Sequence, residues 1–101
     1  MLMRSEARAI VVRRVAAVAL DLPPGDALVL VDESTIERPW GWVFFYTSRL
    51  WHATQEFQYA IAGNAPFLIE RATGRVHELG TALAVENYIA AYERTGDPHA
   101  D

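Results

Sequence analysis

The sequence predicts an α+β fold, in which a small curled antiparallel sheet of about five strands is packed by an N-terminal and a C-terminal helix. Three observations carry that expectation. Helical spacing of apolar residues is confined to the two ends of the chain, and turn residues punctuate the middle at short intervals. Between them, Trp40-Gly41-Trp42-Val43-Phe44-Phe45-Tyr46 is too rich in β-formers for a helix and too dense in rings for a solvated hairpin. Consecutive strands with helices at both ends are the α+β pattern.

At the N-terminus, Ala7, Ile10, Val11, Val15, Val18 and Leu22 recur at helical spacing, with Arg4, Arg8 and Arg13 mostly off that stripe. Ser5 is the expected N-cap, Glu6 sits in the first turn, and Pro23-Pro24-Gly25-Asp26 ends the segment. The apolar run from Ala27 to Val31 reads as a strand that emerges into the polar residues Asp32 to Thr35, and Glu37-Arg38-Pro39 is expected to turn the chain. The next strand, Trp40 to Thr47, puts Trp42, Phe44 and Tyr46 on one face and Val43, Phe45 and Thr47 on the other. Both faces are apolar, so both should be covered.

Ser48 to Glu56 reads as a connection, and Gln58 to Ala62 as a third strand stopping at Gly63-Asn64, a pair suited to tight turning. Pro66 opens a fourth strand, Phe67 to Arg71, where a missing amide donor is tolerated. Ala72-Thr73-Gly74 is a hairpin turn into the returning strand Arg75 to Leu79. In the last helix Val85, Tyr88, Ile89 and Tyr92 form one stripe, and Gly96 and Pro98 stop it before a frayed tail.

The 101 residues make one domain, 1–101, with a single core and no interdomain linker. The absence of cysteine excludes disulfides, thiolate zinc sites and thiol catalysis. A net charge of −4, with arginine as the only strongly basic residue, offers no clustered cationic footprint for nucleic acid. Arg8, Arg13 and Arg14 interrupt the apolar stretch from Ala7 to Leu20, which argues against a signal peptide or membrane anchor. The expectation is a soluble cytoplasmic protein with no membrane or nucleic-acid partner.

The ordered series Gly41-Trp42-Val43-Phe44 with Tyr46 and Ser48, Ala62-Gly63-Asn64-Ala65-Pro66, Thr73-Gly74, Gly80-Thr81, and Glu86-Asn87-Tyr88-Ile89 with Tyr92 resembles the YrhB-like family, also called the Immunity protein 35 domain. The resemblance covers about the last two thirds of the chain. It implies a small bacterial α+β protein that acts as the antidote in polymorphic toxin systems by binding a cognate toxin domain. The family's tryptophan and Gly-Asn motif fall on Trp42 and on Gly63-Asn64, and Pro66 and Tyr88 belong to the same series; these mark the fold at least as much as a surface. One relative is regarded as heat-stable and chaperone-like, so the resemblance also implies an alternative, a stress protein that binds unfolded clients.

Residue by residue, Trp42 in a central strand is most simply core. Trp40, beside a turn, and Trp51, in the connection, are candidate interface anchors, because tryptophan is enriched at binding hot spots. Asn64 is expected to bond nearby backbone and hold a turn. Asp32, Glu33, Glu37 and Glu56 are candidate partner-binding residues that could complement a basic cleft if they converge, though loop-end carboxylates commonly serve only solvation. His52 and Glu56 stand four apart without a third ligand, so no metal is expected. Ser34, Ser48, His52 and Asp32 supply hydrolase residue types without a recognisable setting, so neither catalysis nor a cofactor is expected. Either a monomer or a homodimer through an open sheet edge is compatible with the pattern.

Overall fold

The structure, a computed structural model, describes residues 1–18, 22–61 and 64–100. Its elements are α1 (Arg4–Ala16), β1 (Leu28–Leu30), β2 (Ile36–Arg38), β3 (Gly41–Phe44), β4 (Tyr46–Ser48), α2 (Arg49–Thr54), β5 (Phe67–Glu70), β6 (Val76–Glu78) and α3 (Val85–Thr95). Short 3-10 turns cover Asp32–Ser34 and Phe57–Tyr59. The α+β class holds. The strands form two antiparallel sheets, a four-stranded one ordered β2-β3-β5-β6 and a two-stranded one pairing β1 with β4.

The aromatic run does cross the centre of the molecule, but it breaks at Phe45 into β3 and β4, which belong to different sheets. Its two faces part as the alternation requires. Trp42, Phe44 and Tyr46 join Phe67, Ile69 and the α1 residues Ala7, Val11 and Val15 in one buried cluster. Val43 joins Leu68, Leu79, Tyr88 and Ile89 of the α3 side in the other. The larger sheet is therefore a middle layer between α1 and α3, and each fully buried large side chain contributes about 1.5–3 kcal/mol of burial. The α1 stripe buries Ala7, Val11 and Val15, with Ile10 and Val18 packed at its margin.

Several boundaries differ from expectation for identifiable reasons. Met3, not Ser5, takes the N-cap place of α1, because the Glu6 carboxylate accepts the Met3 amide at 2.8 Å while the Leu2 amide donates to the Arg71 carbonyl at 2.8 Å. The helix ends at Ala16, and the continuation expected over Ala19, Leu20 and Asp21 lies outside the described residues. Glu37 and Arg38 do not turn the chain but belong to β2. Its register, Ile36 with Val43, Glu37 with Trp42 and Arg38 with Gly41, leaves only Pro39 and Trp40 as the turn.

The expected strand from Gln58 to Ala62 is replaced by the 3-10 turn Phe57–Tyr59, and Ala62 is not among the described residues. The segment closes local bonds in place of a ladder, the Tyr59 amide donating to the Glu56 carbonyl at 2.9 Å and the Ala60 amide to the Phe57 carbonyl at 3.1 Å. Ser48 to Glu56 is no mere connection, since it contains α2. The C-terminal tail is held rather than frayed over 97–100: Pro98 is buried, and the His99 Nε2–H donates to the Glu78 carbonyl at 2.7 Å.

Candidate partner-binding surface

Trp42 is wholly buried and is held by two polar partners. Its indole N–H donates to Glu37 Oε1 at 3.1 Å across the β2–β3 pair, and the Arg71 guanidinium lies 4.3 Å from its ring centroid. Arg71 also donates to the carbonyls of Pro39 at 3.2 Å and Arg38 at 3.1 Å, and stands 3.5 Å from Glu37 Oε2. One guanidinium thus ties the β2–β3 turn to the end of β5, with Trp42 beneath it. Gly41 permits that closeness, because a Cβ there would lie 1.9 Å from the Ile69 carbonyl oxygen.

Asn64 donates from Nδ2 to the Tyr46 carbonyl at 2.9 Å. The bonds from the Arg49 amide to the Ala27 carbonyl and from the Val31 amide to the Phe45 carbonyl make Tyr46 and Leu30 a non-hydrogen-bonded pair. The Tyr46 carbonyl therefore points away from β1, and Asn64 satisfies it. Gly63 lies outside the described residues. Pro66 is buried just ahead of β5, and its carbonyl accepts the Leu79 amide at 2.9 Å. Tyr88 is buried in the α3 cluster, where its hydroxyl accepts the Leu83 amide at 3.3 Å; a Cβ on Gly80 would stand 2.3 Å from that hydroxyl.

Trp40 is half-buried on α3, with its ring 4.8 Å from Tyr92 and its indole N–H bonded to Glu93 at 2.9 Å. Trp51 has a different setting, created by a local capping network. Asp26 Oδ1 accepts the amides of Ala27 at 2.8 Å and Leu50 at 3.1 Å, and its other oxygen accepts the Ser48 hydroxyl. The Ser48 oxygen in turn accepts the Trp51 amide at 3.1 Å, which is the N-cap bond of α2. Partial desolvation pushes the Asp26 pKa up, but the bonds from Ser48, Leu50 and Ala27 and the charge of Arg49 outweigh it and hold it below the usual carboxylate value.

The helix so fixed turns Trp51 and His52 toward a cleft of about 510 Å³ that is also lined by Phe45, Asn64, Val85 and Glu86. Trp51 is half-buried there. Glu33 Oε2 lies 3.4 Å from Nε2 of the lining residue His52. The four candidate acidic residues do not share one setting. Asp32 is gripped by both ends of the Arg8 fork at 2.8 and 2.9 Å, which holds its carboxyl below the ordinary range. Glu37 serves Trp42, Arg71 and, at 3.7 Å, Arg4. Glu56 accepts the Gln58 side-chain amide at 2.8 Å. None of the four lines the cleft, and Glu33 approaches it through its contact with His52.

Of the hydrolase residue types, Ser48 caps α2 and Asp32 is bound by Arg8, whereas Ser34 and His52 both line the cleft, with Glu33 Oε2 3.4 Å from His52 Nε2. No group of three or more potential metal ligands occurs among the described residues. Sequence reasoning missed Asp26, Arg71 and Glu86. Asp26 carried a faint signal in its place beside a Pro-Pro-Gly turn, while Arg71 acts on carbonyls far earlier in the chain and Glu86 meets the α2 residues only where the fold forms the cleft.

With this geometry in view, a family model described as Immunity protein 35 matches residues 5–100. The chain belongs to the Immunity protein 35 family. Among curated proteins, it is similar to the uncharacterized protein YrhB of Escherichia coli (strain K12), with 42% identity over 53 residues, which is 52% of this chain and 56% of that protein. The match thus spans about half the length of that relative. No solved structure matches the chain. In this member of the Immunity protein 35 family, the Trp42 clamp and the Asn64 bond act as framework, and Asn64 also lines the α2 cleft.

Proposed function

We propose that this protein is an antitoxin that binds a cognate bacterial toxin domain in the cytoplasm and neutralises it without turnover. The observation that carries this reading is the Immunity protein 35 match over residues 5–100. The physical setting agrees with it. A sheet clamped between two helices presents a preorganised surface, and preorganisation lowers the ordering cost of a tight complex. Inhibition needs only occlusion of the toxin's active site or retention of an inactive form, so neither cofactor nor metal enters. No helix among the described residues is long and apolar enough to cross a membrane.

Of the candidate contact residues, Trp51 and Glu33 are the ones this reading retains as direct contacts. Trp40, Asp32 and Glu37 are committed to Glu93, Arg8 and Trp42 respectively, and Glu56 to Gln58. The test is growth rescue. Cells expressing the toxin domain encoded beside this gene should survive when the intact chain is co-expressed, and continued death despite soluble expression would contradict the reading.

A further inference from the structure

Resting on that antitoxin reading, we infer that the cleft between α2 and the start of α3 is the toxin-docking site and receives a basic side chain, an arginine above all, from the toxin. Three features of the recess point to this chemistry. Its walls carry the rings of Trp51 and Phe45, flat apolar surfaces on which a guanidinium can lie. Glu86 lines it, and Glu33 lies 3.4 Å from the lining residue His52. Glu86 has no ion-pair partner among the described residues, whereas on the α1 side Asp32 and Glu37 are already matched by Arg8, Arg4 and Arg71.

Glu86 thus places an exposed carboxylate on the lining of the recess, where it complements an entering cation. Glu86 lies in the first turn of an eleven-residue helix, a site that fixes its backbone firmly. An entering guanidinium stacks on Trp51, donates to Glu86 and displaces water from a half-apolar recess, which is the composition of an interface hot spot with an electrostatic rim. A lysine gains the charge pairing but lacks the planar stacking.

The experiment compares the intact chain with Glu86→Gln, Trp51→Ala and, as a carboxylate outside the cleft, Glu78→Gln, against the toxin domain encoded beside the gene. Glu86→Gln, an exposed change that leaves folding intact, should slow association several-fold and flatten its salt dependence. Trp51→Ala should raise Kd by about tenfold or more, with circular dichroism confirming the fold, while Glu78→Gln binds as wild type. Tight toxin binding with neither cleft variant altered would overturn the docking site and leave the antitoxin reading standing. If the wild-type chain neither binds nor rescues, the antitoxin reading fails for that toxin, and an NMR titration with acetyl-arginine amide against its citrulline counterpart decides the cleft. Saturable shifts of the Trp51 indole N–H with arginine alone support it, and equal or absent shifts overturn it.

Discussion

The Arg71 guanidinium lies over the buried ring of Trp42, 4.3 Å from its centroid, while both residues bond Glu37. Charge, ring and carboxylate here form one unit that locks the β2–β3 turn onto β5. Because Arg71 engages two carbonyls and a ring as a planar fork, Arg71→Lys keeps the charge and loses the geometry. The expected destabilisation is about 1.5–3 kcal/mol, the range for hydrogen bonds to charged groups. Trp42→Ala should cost about 3–5 kcal/mol, the range for emptying a large aromatic site. Urea unfolding of the two variants measures both.

Gly41 and Gly25 offer a paired test of close approach against backbone conformation. Both have positive φ, but a Cβ at Gly41 meets the Ile69 carbonyl while one at Gly25 meets nothing within 4 Å. Gly25→Ala should therefore cost only the conformational term, about 1–2 kcal/mol. Gly41→Ala must also push β3 from β5, with a loss of about 3 kcal/mol or more. Equal midpoints for the two variants would show that the contact at Gly41 is relieved without cost.

Ser48→Ala removes the N-cap of a six-residue helix and leaves the Trp51 amide without its partner. A loss of about 1 kcal/mol is expected, with a larger local effect, because so short a helix has little propagation to offset a missing cap. Amide exchange at Trp51 and His52 should accelerate more than exchange at Ile69. Uniform acceleration would mean that α2 does not open by itself.

Acid should destabilise the fold through three carboxylates. Asp26, Asp32 and Glu70 all have folded-state pKa values below their ordinary ones. For Glu70 the leading cause is the 2.7 Å bond with His77, opposed by partial burial and reinforced by Thr73 and Tyr92. A depressed folded pKa means that the unfolded chain binds protons first. The stabilisation is therefore complete above the unfolded values, about pH 4, and is lost as pH falls through the folded ones. Glu70→Gln should reduce the drop in urea midpoint between neutral and acidic pH, and an unchanged pH profile would remove Glu70 from the account.

What the sequence made legible follows from what is local. The α1 and α3 stripes and the alternation of Trp42, Val43 and Phe44 are periodicities, and the clusters around Val11 and Ile89 match them. Trp42 as core needed no partner information. The break at Phe45 was not legible, since nothing in a continuous aromatic run says that β3 pairs with β5 while β4 pairs with β1. The six residues of α2 escaped because their cap comes jointly from Ser48 and from Asp26, 22 residues earlier. Among the candidate contacts, Trp40 and Glu37 proved internally committed because Glu93 and Arg71 reach them from distant segments. Trp51, named from the sequence as a candidate anchor, lines the α2 cleft.

The central claim is that this member of the Immunity protein 35 family acts by stoichiometric binding. Calorimetric titration of the intact chain into the toxin domain encoded beside its gene tests it most directly. The account predicts saturable binding at a fixed stoichiometry, with loss of toxin activity tracking occupancy. Heat no greater than dilution, with toxin activity undiminished at excess chain, would contradict it.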